Sequence, residues 1–309
     1  MKINKPKFWE KKYNLISFVL LPASLFLQLI IKIRNKFVYQ RSFKIPIICV
    51  GNIYLGGTGK TPLVIYIAKK LLKYNKNPAI IKKFYSDHFD EHRLINKNLD
   101  CLFTNRLRHQ AIKKAEEKNH DVAILDDGFQ DHSVKKDINI ICFNSNQLIG
   151  NGFTLPAGPL RENINAIKKS QIVLINGEKN KDFEKKIFNI SDSIKIFYSK
   201  YLLLDKDNFE NKNVIAFAGI GNPENFFETL KKNNFKVKKK FIFPDHYEFQ
   251  KKEVQNLIDD SLKNNLELVT TEKDFLRISK FGFKEVKCIK VKLEIIDEED
   301  FIKFILKYL

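Results

Sequence analysis

Cysteine is scarce in this chain of 309 residues, and the four present, Cys49, Cys101, Cys142 and Cys288, stand far apart with no CxxC pair. That spacing excludes a disulfide framework and a zinc knuckle, and it fits a reducing compartment. Methionine and tryptophan occur once each, and acidic residues are outnumbered, 36 Asp and Glu against 55 Lys and Arg, for a formal charge of +19. Three sources fit the basic excess: nucleic acid, an anionic membrane or substrate, and codon usage rich in Lys, Asn and Ile. No basic motif interleaved with aromatics accompanies it, so no nucleic-acid partner is expected. Internal repeats and low-complexity linkers are also missing. What is present is a 44% hydrophobic, 12% aromatic composition, enough to build one large α/β domain or two modest ones.

The apolar run Leu15 to Ile31 is interrupted by Ser17, Pro22, Ser24 and Gln28. It is shorter than the roughly 20 apolar residues a spanning helix needs. Lysines precede it and Lys32, Arg34, Lys36, Arg41 and Lys44 follow it, which gives no charge asymmetry across a membrane. No small-residue cleavage site follows Ile31. The expectation is a helix lying in a membrane interface with basic flanks on anionic head groups. A helix packed on the protein itself and a true span are the alternatives.

From residue 45 short apolar strands alternate with helices. Strands are expected at 45–50, 78–81, 101–104, 122–125, 138–143 and 172–175, and helices at 61–74 and 106–118. Continuously apolar strands between helices predict an α/β fold of P-loop NTPase type, a mainly parallel sheet with helices on both faces. After Phe188 the chain turns polar, and a second set of elements starts at Val214. The expected domains are therefore an N-terminal membrane-associated helix region over 1–44, a P-loop domain over 45–200 and a smaller α/β domain over 201–309.

The chemistry starts at Gly56-Gly57-Thr58-Gly59-Lys60-Thr61, between the first strand and the helix after it. Backbone N–H groups and the helix N-terminus receive phosphate oxygens there, Lys60 reaches the β/γ-phosphates, and the Thr61 hydroxyl ligates Mg²⁺. Tyr54 stands where the full pattern has its first glycine, so this is a variant loop. Val122 to Leu125 then runs into Asp126-Asp127, where such a fold places its metal-organising carboxylate. A nucleoside triphosphate and Mg²⁺ are the expected ligands of this loop. His88 and His92 have i,i+4 spacing suited to a metal, but no third ligand is evident and solvated loop residues are the simpler account.

Several stretches together resemble the tetraacyldisaccharide 4′-kinase family of lipid A biosynthesis. They are Val50-Gly51-Asn52, Asp126-Asp127-Gly128-Phe129-Gln130, Gly150 to Glu162 with its Leu-Pro-Ala-Gly-Pro-Leu-Arg-Glu run, Phe217 to Pro223, Asp245-His246-Tyr247 and Thr271-Glu272-Lys273-Asp274. The resemblance implies transfer of the ATP γ-phosphate to the 4′-hydroxyl of an acylated glucosamine disaccharide 1-phosphate, giving lipid IVA. It implies a monomer at the cytoplasmic face of a bacterial inner membrane, with the smaller domain closing over the site. By the same resemblance Lys60, Asp127, Asp90 and His246 are catalytic, Asp90 as general base with His246 as its partner. Gly56 to Thr61 and Gln130 hold nucleotide; Thr61, Asp126 and Asp127 hold metal; Glu91 and Arg161 contact substrate. The chain departs from the family where Lys82-Lys83-Phe84-Tyr85-Ser86 replaces Ser-Arg-Gly-Tyr-Gly, and where Phe89 and His92 replace the glycines flanking Asp90-Glu91. Asp87 competes with Asp90 as the base. The Thr271–Asp274 tetrapeptide is either a nucleotide contact or a plain helix cap. The rival functional class is a membrane-attached regulatory P-loop ATPase that uses hydrolysis as a conformational switch.

Overall fold

The computed structural model describes residues 6–85, 89–204, 209 and 212–309, with Phe89 and Asp90 described in backbone only. In chain order the elements are α1 (Leu15–Lys36), β1 (Ile47–Gly51), α2 (Lys60–Lys73), β2 (Pro78–Lys83), α3 (Phe89–Asn98), β3 (Leu102–Asn105), α4 (Arg108–Glu117), β4 (Val122–Asp126), β5 (Ile138–Asn144), β6 (Ile172–Asn176), α5 (Lys181–Ile190) and β7 (Lys195–Leu203). Then follow β8 (Asn213–Ala218), α6 (Pro223–Lys232), β9 (Lys236–Ile242), α7 (Lys251–Lys263), β10 (Glu267–Thr271), α8 (Glu272–Ile278), β11 (Val286–Ile289), β12 (Val291–Ile295) and α9 (Glu298–Leu306).

The chain divides into two compact units. The larger holds residues 6–85, 99–200 and 294–309. Its sheet has the order β12-β7-β6-β5-β1-β4-β2-β3, and from β7 to β3 the neighbours pair in parallel. Every residue of β1, β4 and β6 is buried, which is why these strands read as unbroken apolar runs rather than alternating ones. α2 turns Leu63, Val64, Ile67, Ala68 and Leu71 inward, the i, i+3, i+4 spacing of one helix face. α9 buries Phe301, Ile302 and Ile305, and its Glu298 accepts hydrogen bonds from Tyr66 Oη and Lys70 Nζ on α2.

The smaller unit comprises α3 and the segment Tyr201–Leu293. Its sheet has the order β11-β10-β8-β9, with all pairings parallel. Val214, Ala216 and Ala218 of β8 enter one apolar cluster while Ile215 and Phe217 enter another. Successive side chains point to opposite faces of a strand, so this sheet is covered on both.

Two segments fall on the other side of the boundary drawn at residue 200. α3 belongs to the smaller unit although the chain places it between β2 and β3, and residues 294–309 belong to the larger one. Sequence spacing does not register this, because each segment is assigned by the side chains it buries far away in sequence. α3 packs on α8, with Lys97 Nζ 2.6 Å from Glu272 Oε1 and Arg93 Nη1 3.5 Å from the Leu276 carbonyl.

α1 is longer than its apolar run, 22 residues from the Asn14 N-cap, and is long and apolar enough to cross a membrane. The polar interruptions prove to be its docking face. Ser17 and Ser24 are buried. Ser24 Oγ donates to the Thr154 carbonyl at 2.9 Å and accepts from the Ala157 N–H at 3.0 Å. Ser17 Oγ accepts from Asn151 Nδ2 at 3.0 Å, and Gln28 Nε2 donates to the Arg161 carbonyl at 3.2 Å. Leu15, Val19 and Phe26 on the opposite side, and Leu25 on the flank, are more than 60% exposed.

Candidate nucleotide and phosphoryl-transfer site

The phosphate loop starts where β1 ends. A Cβ on Gly51 would lie 2.5 Å from Phe129 Cβ, so glycine there lets the loop after β4 close onto β1. Asn52 Nδ2 donates to the Gly56 carbonyl at 3.1 Å and to Thr58 Oγ1 at 3.0 Å, fixing the turn from inside. Gly59 has φ 90° and caps α2 in the left-handed region, a conformation that glycine adopts at least cost. Tyr54 needs no such freedom. It is buried, bridges Leu160, and is flanked by hydrogen bonds from Leu55 N to the Pro159 carbonyl and from Arg161 N to the Ile53 carbonyl. The variant position thus ties the phosphate loop to the Leu155–Glu162 run.

The two adjacent acids separate by cation. Asp126 ends β4, beside β1, and its buried Oδ2 accepts from Thr61 Oγ1 at 3.0 Å and from Lys82 Nζ at 2.5 Å. Asp127, in the left-handed region at φ 56°, turns instead to Arg161 Nη1 at 3.0 and 3.1 Å and to Lys60 Nζ at 3.6 Å. Burial pushes the Asp127 carboxyl up, but the Lys60 and Arg161 cations, the Arg161 hydrogen bond and Lys82 overcome it and hold the group well below the usual carboxylate range. Gln130 completes the cluster. Its Nε2 donates to the Asn52 carbonyl at 2.9 Å and to Glu162 Oε1 at 3.1 Å, and its Oε1 accepts from Arg161 Nη1 at 3.3 Å.

Asp126 Oδ1 is buried with no hydrogen-bond partner. Together with Thr61 Oγ1 it offers one carboxylate and one hydroxyl. No group of three His, Cys, Asp or Glu side chains suited to a metal occurs among the described residues. Such a sparse, all-oxygen donor set fits a cation that keeps most of its ligands from water and phosphate, the habit of Mg²⁺.

Three contributors are missing from the sequence-based expectations. Arg108 is buried, donates through Nη2 to the carbonyls of Asp126 at 3.3 Å and Asp127 at 2.8 Å, and pairs through Nη1 with Asp131 at 3.2 Å. A lone arginine opening a polar helix carries no local signal of this role. Asn52 was legible as a polar residue directly after β1. Lys82 was visible as a departure from the family pattern, but not its direction.

In the smaller unit, Glu91 Oε1 lies 2.7 Å from Lys273 Nζ and 3.8 Å from His246 Nε2. His246 has φ 56° and its Nδ1 is 3.5 Å from Arg277 Nη2. Asp90 sits in the first turn of α3 beside Glu91, and its side chain, like the whole of Asp87 and His88, lies outside the described residues. His246 and the α3 helix belong to one compact unit, so their association does not wait on the domain closure expected from the sequence. Thr271 acts as a helix cap. It accepts from Asp274 N and donates to Asp274 Oδ2, which also receives the Gly219 N–H at 3.0 Å.

A phosphate loop between β1 and α2, with paired acids at the end of the adjacent strand, defines a nucleotide site of the P-loop NTPase class. The family model for tetraacyldisaccharide-1-P 4′-kinase, LpxK, matches residues 16–309. Among curated relatives, the tetraacyldisaccharide 4′-kinase of Pelagibacter ubique is 43% identical over 99% of this chain and 98% of its own, and that of Rickettsia bellii is 33% identical over 96% and 95%. A solved structure of LpxK from Aquifex aeolicus in complex with ATP superposes with a TM-score of 0.68 at 27% identity, covering 95% of this chain and 99% of that one. The chain belongs to the tetraacyldisaccharide 4′-kinase family.

Proposed function

We propose that the chain transfers the γ-phosphate of ATP to the 4′-hydroxyl of a tetraacyldisaccharide 1-phosphate, giving lipid IVA at the cytoplasmic face of the inner membrane. The observation that carries this reading is the convergence of Lys60, Thr61, Asp126, Asp127, Gln130 and Arg161 on the mouth of the phosphate loop.

Phosphoryl transfer asks little covalent chemistry of a protein; it needs alignment and charge neutralisation. Gly56 to Thr61 present N–H groups to the phosphates, and Lys60 reaches the β/γ oxygens. Mg²⁺, held by Thr61 and Asp126, would neutralise charge building on those oxygens. Asp127 aims Lys60 and Arg161, and Arg161 lies ready to meet an anionic group of nucleotide or lipid. Asp90 accepts the 4′-hydroxyl proton as that oxygen bonds to the γ-phosphorus and the bond to ADP breaks. His246, next to Glu91 on the same unit, supports the base. Glu91 orients the sugar.

The docking of α1 supports an interfacial helix. Residues 17 to 28 cover about 16 Å of helix and are hydrogen-bonded to the 151–161 loop along that length. A segment held in this way lies along the unit's surface, and its outer apolar side is free to enter a bilayer surface.

The test is γ-labelled ATP with detergent-dispersed tetraacyldisaccharide 1-phosphate. Labelled lipid is the expected product; labelled orthophosphate with no labelled lipid would favour the regulatory ATPase. Lys60→Ala is expected to abolish turnover. Asp90→Ala is expected to lower kcat by at least about 100-fold with little change in ATP binding, and the same phenotype in Asp87→Ala instead would move the base to Asp87.

A further inference from the structure

Lys82 is the penultimate residue of β2, in register with Asp126 of β4, and is only 5% exposed. A lysine at a strand end would normally extend its ammonium into water, because burying the charge costs more than leaving it hydrated unless a partner compensates. Here the ammonium reaches Asp126 Oδ2, the oxygen that also accepts from Thr61 Oγ1. These are the two side chains that fit a nucleotide-borne metal. The other oxygen of this carboxylate, Oδ1, has no hydrogen-bond partner. A divalent ion arriving there would share Asp126 with the Lys82 ammonium and draw the carboxylate away from it, and each cation would stand beside the phosphates that Lys60 and the loop receive.

We propose that Lys82 is a phosphate-binding cation of this site that exchanges with the divalent ion at Asp126. With metal bound to Asp126, the ammonium moves onto a phosphate oxygen. Without metal, it supplies the positive charge itself, so the site takes nucleotide in the absence of a divalent ion. A flexible four-carbon stem ending in a point charge with three donors suits such an exchange better than a fixed guanidinium fork. This inference rests on the nucleotide site proposed above.

Coulomb's law fixes opposite signs for two measurements. Removing a positive charge next to phosphates weakens binding of metal-free nucleotide, and removing it next to a divalent ion tightens binding of that ion. A lysine that merely holds the Asp126 strand in place would, when removed, weaken both. The experiment uses the full chain in detergent with Lys82→Met. Binding of a fluorescent ATP analogue is read in EDTA, and Mn²⁺ binding to the ADP-saturated protein is read by electron paramagnetic resonance. Metal-free analogue affinity is expected to fall about tenfold or more, the scale of one charge-assisted hydrogen bond, while Mn²⁺ binds several-fold tighter. Unchanged metal-free affinity, or weaker Mn²⁺ binding, overturns the proposal.

Because Lys82→Met strands a buried carboxylate and can impair folding, the comparison is repeated in Asp126→Asn, where both partners are neutral. Lys82→Met is still expected to cost metal-free nucleotide affinity in that background. No loss there means that Lys82 served only to neutralise Asp126, and the proposal falls. Failure of the unmutated chain to bind the analogue even with Mg²⁺ would instead remove the nucleotide site, and this inference with it.

Discussion

Asp127 and Arg161 meet from segments 34 residues apart in sequence, and each is aimed by the other. The Asp127 carboxyl is held below its ordinary range, so the sign of its effect on stability is fixed. Its pairing stabilises the fold fully above the unfolded aspartate range, about pH 4, and is lost as pH falls through the lower folded value. Asp127→Asn is therefore expected to lower the thermal midpoint by the same amount at pH 7 and pH 5, with the gap to the parent chain shrinking only below about pH 4. A gap that shrinks already between pH 7 and 5 would contradict the depressed carboxyl. Lys60, Thr61 and Asp126 were legible in the sequence because spacing along one strand–loop–helix unit fixes their positions. Arg108 and the direction of Lys82 were not: Lys82 depends on the register of β2 with β4, and Arg108 on carbonyls and a carboxylate that only the fold brings to it.

At the level of elements, α1 shows how interruptions in an apolar run can be informative. Ser17, Ser24 and Gln28 recur at intervals of seven and four, one stripe of an α-helix, and that stripe faces the loop whose last residues carry Arg161. Their spacing was readable; what they bond to was not. Ser24 both donates to Thr154 O and accepts from Ala157 N. The Thr154 carbonyl would keep its bond from the Gly158 N–H, but Ser24→Val would leave the buried Ala157 N–H unpaired, at about 1–3 kcal/mol. The expected outcome is a lower thermal midpoint together with a fall in kcat that exceeds any change in KM for ATP, as Arg161 loses its support. A lower midpoint with unchanged kinetics would confine α1 to anchoring. α3 was the element least legible in place: it lies in sequence between two strands of the larger sheet, but the groups that hold it, the Glu272 and Lys273 side chains and the Leu276 carbonyl, lie in α8.

For the whole molecule, the membrane association proposed above would draw separately on the +19 charge and on the exposed apolar side of α1. Attraction between exposed charges is screened within about 10 Å at 0.1 M salt, whereas apolar insertion is not. Sedimentation with phosphatidylglycerol-containing vesicles is expected to fall several-fold between 50 and 500 mM salt and to retain a residue that salt does not remove. Leu25→Gln with Phe26→Gln should abolish that residue. Equal binding to neutral and anionic vesicles would assign the basic excess to codon usage.

The larger unit is completed by residues 294–309, which bring Glu298 against Tyr66 and Lys70 of the phosphate-loop helix and set Phe301 edge-on to Phe197 at 5.2 Å. A ribosome making this chain releases the phosphate loop early but the last helix of its scaffold only after the whole of the smaller unit. The nucleotide site therefore stays unfinished through most of translation, and a nascent chain halted before Glu294 would carry the loop without the framework that holds it.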